Sequence, residues 1–282
     1  MSLSIASASE ARVQRRGWIC FWALGALFFS CLLTLLPDGA ALLGTSVSRP
    51  EPPSAQHWFG TDLFGRDLFL VMLRGLGELL LLSMTAAGAA LTLGSAVGLV
   101  QSEWSGVVGS LTRKLAETLG SLPILLVLLA LCAAVRPSAW VLALLLGLFM
   151  WPGVAQVVDR TLRRERRRHS FLAAQALGQS LFGLLHGHLL PAMGRALLTI
   201  LPRTIGFSLL TLAAIDFLGL AKAALPFGLG QLLAQALDPA IPWWVEASGP
   251  AALALVLYLL LQMHLAVQTS LSVSSEASVP SC

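Results

Sequence analysis

Residues Ser170–Pro191, SFLAAQALGQSLFGLLHGHLLP, decide how this chain is read. They form a moderately polar segment with helical spacing, set behind an arginine-dense run and between two long apolar blocks. A membrane chain that keeps such a segment on one side of the bilayer has something to dock there. Outward from it, 56% of the 282 residues are hydrophobic and 11% are charged. With a mean hydropathy of +0.80, that composition excludes a soluble globular domain. Crossing roughly 30 Å of hydrocarbon takes about 20 helical residues. Six blocks qualify: Gly17–Leu36, Leu76–Val100, Leu115–Val135, Ser138–Val158, Arg195–Leu220 and Pro250–Val267. Lipid offers no partner to unpaired backbone groups, and no alternating strand pattern points to a barrel. The expected fold class is an all-α polytopic membrane protein with six transmembrane helices.

The placement of Lys and Arg orients the spans. With the amino terminus inside, the cytoplasmic side receives Arg12, Arg15, Arg16, Arg113, Lys114, the six arginines from Arg160 to Arg168, and Arg195. The other side keeps Arg49, Arg66, Arg74, Arg136 and Lys222, while Arg203 lies within a span. Both termini are therefore expected in the cytoplasm, and the basic balance needs no nucleic acid to explain it. The apolar core of the first block, at about 20 residues, exceeds the roughly 7–15 of a signal peptide, so it reads as a retained anchor. The expected organisation is a 1–75 anchor helix with an extracytoplasmic segment, a five-helix unit over 76–267 carrying the inner segment 159–194, and a Ser-rich tail over 268–282 expected to be disordered. Cys20 and Cys31 share one helix about 16 Å apart along its axis, too far to bridge, and no Cys/His metal spacing is present.

Three stretches carry pattern. In the inner segment the arginines spread over an arc of roughly 200°, broad for one binding stripe. A lipid-facing cluster that sets topology explains them, as does contact with an acidic partner. Beyond them Phe171, Ala174, Leu177, Leu181 and Leu185 recur at helical spacing, with Gln175, Gln179 and His186 on another face. Read blind, this is an amphipathic helix lying on lipid. Gly178 permits a bend or a close approach, and Pro191 is expected to end the element before the next span. In the outer segment, His57-Trp58-Phe59-Gly60-Thr61-Asp62-Leu63-Phe64-Gly65-Arg66-Asp67 has turn glycines at Gly60 and Gly65, and Thr61 or Asp62 could cap a short helix. Arg66 and Asp67 are neighbours and cannot pair, so each needs its own partner. The set reads as a brace; His57, Asp62 and Asp67 include metal-ligating types, but such groups scattered over a turn are common without metal. Within span five, Arg203 and Asp216 are costly in lipid and stand on nearly opposite faces, so either could line a translocation path. No hydrolytic constellation or phosphate-binding loop is present.

These stretches also carry a resemblance. Ala173-Ala174, three residues, Gly178, nine residues, His188-x-Leu190-Pro191 is similar to the cytoplasmic signature of inner-membrane permeases in ATP-binding-cassette (ABC) importers. There the pattern reads Glu-Ala-Ala, three residues, Gly, nine residues, Ile-x-Leu-Pro; this chain has Leu172 at the Glu position and His188 at the Ile position. The outer string resembles the His-x-x-Gly-Thr-Asp-x-x-Gly-Arg-Asp of the C-type permease subunits of dipeptide, oligopeptide and nickel importers. Phe217-Leu218-Gly219-Leu220 followed by Gly230-Gln231-Leu232-Leu233 is a third match, and together they cover Gln56 to Leu233.

The resemblance implies the type I importer permease fold. It implies a path formed with a second, non-identical permease, two ATPase subunits on the cytoplasmic face, and an extracytoplasmic solute-binding protein. Phe171, Leu172, Ala173, Ala174, Gln175, Leu177 and Gly178, with Leu190 and Pro191, would couple the chain to an ATPase. The chain itself would bind no cofactor, since ATP-Mg belongs to the partners, and would hydrolyse nothing. Short peptides are the expected solute, with nickel or a metal chelate second. An ion-gradient transporter and a membrane scaffold are the readings from other classes. The location implied is the bacterial inner membrane.

Overall fold

A chain in lipid has to close its backbone hydrogen bonds within each segment, and from Leu68 onward the elements are all helical. The computed structural model describes residues 50–103, 106–220, 228–237 and 241–276, together with Ile19, Trp22, Ala23 and Gly25. The expected span Gly17–Leu36 therefore lies, but for those four positions, outside the described residues. The helices are α1 Leu68–Glu103, α2 Val107–Gly120, α3 Ile124–Val135, α4 Ala139–Arg166, α5 His169–Ala176, α6 Leu181–Leu184, α7 Leu190–Phe217, α8 Leu229–Gln235 and α9 Trp243–Glu276. A π-helical turn, Leu185–Leu189, joins α6 to α7 without a break. Among the described residues four stretches are long and apolar enough to cross a membrane: α1, α4, Phe182–Phe217 and Trp243–Ser270. A fifth exists if α2 and α3 count as one bent span.

Three expectations change. The continuous span Leu115–Val135 is broken, α2 and α3 meeting at 73°. Pro123 causes this: it brings no N–H, and the residue before a proline is pushed out of the helical region. At Pro191 the opposite holds. The proline stands in the first turn of α7, where the preceding π turn has already widened the backbone, and the helix runs on. The last helix also continues to Glu276, into the tail where Ser-rich composition pointed to disorder. An apolar helix already nucleated over many turns propagates into such residues more cheaply than they could start one.

Packing follows from residue size. Ala86, Ala90, Gly94 and Gly98 recur every four residues on one face of α1 and meet α4. A Cβ on Gly94 would sit 2.8 Å from the Trp151 carbonyl oxygen, and one on Gly98 would sit 2.7 Å from Val158 Cβ. From the other helix, a Cβ on Gly147 would come within 2.6 Å of the Ala86 carbonyl oxygen. Backbones this close gain dispersion contact that lipid tails cannot replace. α7 closes on the same helix through Ser208, whose buried hydroxyl donates to the Ser83 carbonyl at 3.1 Å. Leu79, Leu142, Leu209, Leu212 and Ile215 fill the centre. Gly98→Leu should therefore lower the thermal midpoint of the full chain in detergent, by an overpacking cost of roughly 1–3 kcal/mol. Gly88→Leu, on the same helix with nothing within 4 Å of the added Cβ, should leave it unchanged.

Candidate functional site

The arginine-rich end of the bundle is built around a turn. α5 leaves α4 directly after Arg166-Arg167-Arg168 and ends in a left-handed cap. The Gln179 N–H donates to the Ala174 carbonyl at 3.2 Å and the Gly178 N–H to the Gln175 carbonyl at 3.0 Å. This pairing needs the φ of +79° that Gly178 adopts and that side-chain-bearing residues avoid. Nothing lies within 4 Å of where its Cβ would be, so the glycine serves backbone conformation and leaves open space beside it.

The turn splits the expected amphipathic face. Phe171 is 7% exposed and belongs to a buried apolar cluster with Val154, Val158, Leu162, Leu184 and Leu189 that extends to Ala90, with His188 edge-on to its ring at 5.9 Å. Leu177 is 87% exposed, because α5 stops at Ala176 before a single face can include both. Leu172, Ala173 and Gln175 are exposed as well; Ala174 and Leu190 are half-buried and Pro191 is exposed. Across the turn Phe182 is 75% exposed and stacks on His186 at 5.7 Å. The result is an apolar knob held to the bundle by one buried ring.

The arginine run is more than a lipid-facing cluster. Buried Asp159 pairs with Arg163 at 2.7 Å and with Arg113 at 3.4 Å, and Arg163 also donates to the Gln101 carbonyl at 2.7 Å. Arg166 pairs with Glu103, and Arg168 with Glu165 at 3.2 Å. These contacts tie the end of α4 to the end of α1 and to α2.

At the opposite end the outer string folds into one cross-braced loop. Asp62 is fully buried; its Oδ1 accepts the N–H groups of Phe64 and Arg66, and its Oδ2 takes the Arg66 Nε at 2.8 Å and Nη2 at 2.6 Å. Asp67 Oδ2 lies 2.8 Å from His57 Nδ1, while its Oδ1 accepts the Phe69 and Leu70 N–H groups at 2.9 and 3.2 Å. Arg66 and Asp67 thus have separate partners, as their adjacency requires. The helix cap is Asp67 on α1; neither Thr61 nor Asp62 caps a helix. The signal was an Asp directly before the apolar run that begins at Leu68. Buried Thr61 instead accepts the N–H of Glu51, ten residues back, at 2.7 Å, a pairing that no periodicity prescribes. Gly60 and Gly65 have φ of +76° and +70°, and a Cβ on Gly60 would reach 3.0 Å from the Trp244 indole at the start of α9. Among the described residues no three His, Cys, Asp or Glu side chains gather to hold a metal.

Arg203 and Asp216 are not brought together. Arg203 is exposed on α7, in line with exposed Phe207 and Leu210. Asp216 is fully buried under α8, where its Oδ2 accepts the Gln231 N–H at 3.3 Å. Gly228 and Gly230 allow that approach: a Cβ on the first would overlap the Asp216 carboxylate, and one on the second the backbone of Phe217.

Apolar helices packed through small residues, braced at one end and bearing an exposed knob at the other, define a multi-spanning helical membrane protein. The family model described as "Binding-protein-dependent transport system inner membrane component" matches residues 90–267, and this chain belongs to that family. It is 30% identical over 264 residues to the "Inner membrane ABC transporter permease protein YejE" of Escherichia coli strain K12, covering 92% of this chain and 73% of that one. It is 30% identical over 196 residues to the "Dipeptide transport system permease protein DppC" of Bacillus subtilis strain 168, covering 68% of this chain and 61% of that one. It is also 30% identical over 212 residues to the "Peptidoglycan transport system permease protein YejE" of Agrobacterium fabrum, covering 75% of this chain and 56% of that one. A solved structure, "Inward facing conformations of the MetNI methionine ABC transporter: CY5 native crystal form", matches with a TM-score of 0.55 at 17% identity, over 76% of this chain and 98% of that one, which shows a shared fold. The chain is an ABC permease component of the inner membrane, and ATP hydrolysis belongs to its partner subunits.

The brace sets a test of its own. Asp62→Ala removes the carboxylate that pairs with the largely buried Arg66 and accepts two backbone N–H groups, and should destabilise the full chain by roughly 3–5 kcal/mol. Asp67→Ala removes the α1 cap and should cost less, about 0.5–2 kcal/mol. Thermal unfolding of both variants in detergent checks the order.

Proposed function

We propose that this chain is one of two permeases in an ATP-driven importer of short peptides, and that α5 with the Gly178 turn is the lever a partner ATPase moves. The observation that carries this is the apolar knob of Leu172, Leu177 and Phe182, which no described residue covers and which buried Phe171 holds to the end of the bundle. An ATPase groove closing on the knob would push α5, and Phe171 would pass the push into the buried apolar cluster of α4 that includes Val154, Val158 and Leu162. Leu172 stands where the resembling permeases carry Glu, so the contact at this position would be apolar instead of ionic. On α7 the exposed Arg203, Phe207 and Leu210 would turn to the second permease and line the path, while Asp216 would hold α8 against the outer end of α7.

In this reading Gly17–Leu36 adds a sixth span, both termini and the arginine-rich end are cytoplasmic, and a solute-binding protein meets the end carrying His57–Asp67. The chain binds no cofactor of its own. The names of the dipeptide and peptidoglycan relatives support a peptide-derived solute over nickel.

Leu177→Asp should abolish the stimulation of ATP hydrolysis by solute-loaded binding protein in the reconstituted complex, with membrane insertion unchanged. Gly178→Trp, which strains the cap and blocks the open space beside it, should do the same. Full stimulation in both variants would overturn the lever. For the solute, uptake of a labelled dipeptide should be competed by unlabelled peptide and left untouched by equimolar nickel; competition by nickel alone would reverse the assignment.

A further inference from the structure

Five of the six arginines from Arg160 to Arg168 divide between two faces at the end of α4 and just beyond it. On one face Arg163 and Arg166 are neutralised by Asp159 and Glu103. On the other, Arg160, Arg164 and Arg168 recur every four residues and look across a cleft of about 380 Å³ at Arg195 of α7. Glu165 is the one acid lining the cleft, and it pairs with Arg168. Arg160 reaches Gln156 at 3.4 Å. Arg164 and Arg195 have no ion-pair or hydrogen-bond partner among the described residues. The apolar lining is Val157, Ala192 and Ala196. Small residues on α7 leave the room, and the cationic rim stands where the apolar length of both spans gives out.

A cleft lined by arginines, with an apolar side at Val157 and Ala196 and open between two membrane helices, fits one ligand chemistry: a phosphate ester whose body continues into lipid. We propose that it seats the headgroup of an anionic phospholipid, with Arg164 and Arg195 on the phosphate and acyl carbons along Val157 and Ala196. Guanidinium groups suit phosphate because they donate two parallel hydrogen bonds in one plane. Basic pockets between spans on the cytoplasmic side are a recurrent form of such sites. The cleft borders the segment that leads into α5, so its occupant would steady the base of the knob. The inference does not depend on which solute is carried.

The test reads lipid occupancy, so it stands apart from transport. The full chain, purified from membranes in mild detergent, is titrated with phosphatidylglycerol or phosphatidylcholine and followed by native mass spectrometry. Wild type should retain phosphatidylglycerol over phosphatidylcholine. Arg164→Gln with Arg195→Gln should weaken that retention roughly twenty- to thirtyfold at low salt, from the loss of two arginine–headgroup contacts, and raised salt should narrow the gap. Ala196→Phe, which keeps every charge and fills the cleft, should lose the same lipid and guards against a folding defect in the double variant. Equal retention by wild type and both variants overturns the proposal. So does displacement of the lipid by millimolar inorganic phosphate, which would make this a free-anion site. Loss of a co-purifying protein in place of lipid would assign the arginines to a protein surface and overturn it too.

Discussion

The distance between α1 and α4 is set by residues with almost no side chain, and both ends of the molecule depend on it. Ala86, Ala90, Gly94 and Gly98 form a flat stripe on α1, answered on α4 by Gly147, Ala155 and the shoulders of Val154 and Val158. At this separation Ala90, Val154, Val158 and Leu162 close into one apolar cluster that extends to Phe171. Only then does Arg163 reach the Gln101 carbonyl and Arg166 reach Glu103. In lipid no hydrophobic gain holds helices together, so close approach and a few directed polar contacts have to do it. This chain uses the first at mid-length and the second at the arginine-rich end. α1 is thereby fixed three times over: capped by Asp67, packed along its stripe, and tied at its last turn.

The polar contacts differ in weight. Exposed ion pairs such as Arg166 with Glu103 contribute little, since water competes and two long side chains must be ordered. Asp159 and Asp62 are another matter, being buried and multiply bonded, so losing one partner leaves a charge with nowhere to go. That asymmetry explains why the outer loop keeps its shape without regular structure. Backbone groups that a strand or helix would satisfy are taken up there by the Asp62, Asp67 and Thr61 oxygens.

Hydropathy made the helical class and most of the spans legible, because a block of apolar residues is a local property. It missed the bend at Pro123, where averaging over a window hides one residue, and it stopped the chain at Pro191, where a π turn absorbs the proline. The outer string was legible as a set and its pairings were not: Arg66 bonds four residues back and His57 reaches ten residues forward to Asp67, distances no periodicity prescribes. Gly178 was flagged for a bend or close approach, and the bend is what its positive φ supplies. The small-residue stripe stood in the sequence at a spacing of four and could have named the α1–α4 contact in advance. The cleft beside Arg164 could not have been found so, since Arg195 comes to it from another helix.

Exposure carries different information in different parts of this molecule. Leu144, Leu148, Leu255 and Leu261 are exposed on the flanks of α4 and α9, and hydrocarbon is a sufficient reason for each. Leu177 and Phe182 are more exposed than these, yet they follow a run of six arginines and sit among Gln175, Gln179 and Ser180. Acyl chains do not reach beyond a charged layer of that kind, and water offers no gain to a bare leucine. A protein surface does, and the turn that projects these residues is costly in its own right, since it needs a left-handed backbone at Gly178 and a phenylalanine spent on anchoring. A segment lying on lipid would need neither, because its apolar residues would share one face with Phe171. In the proposed reading, the division of Phe171 from Leu177 across the cap is the feature that would separate a docking lever from an interfacial helix of the same composition.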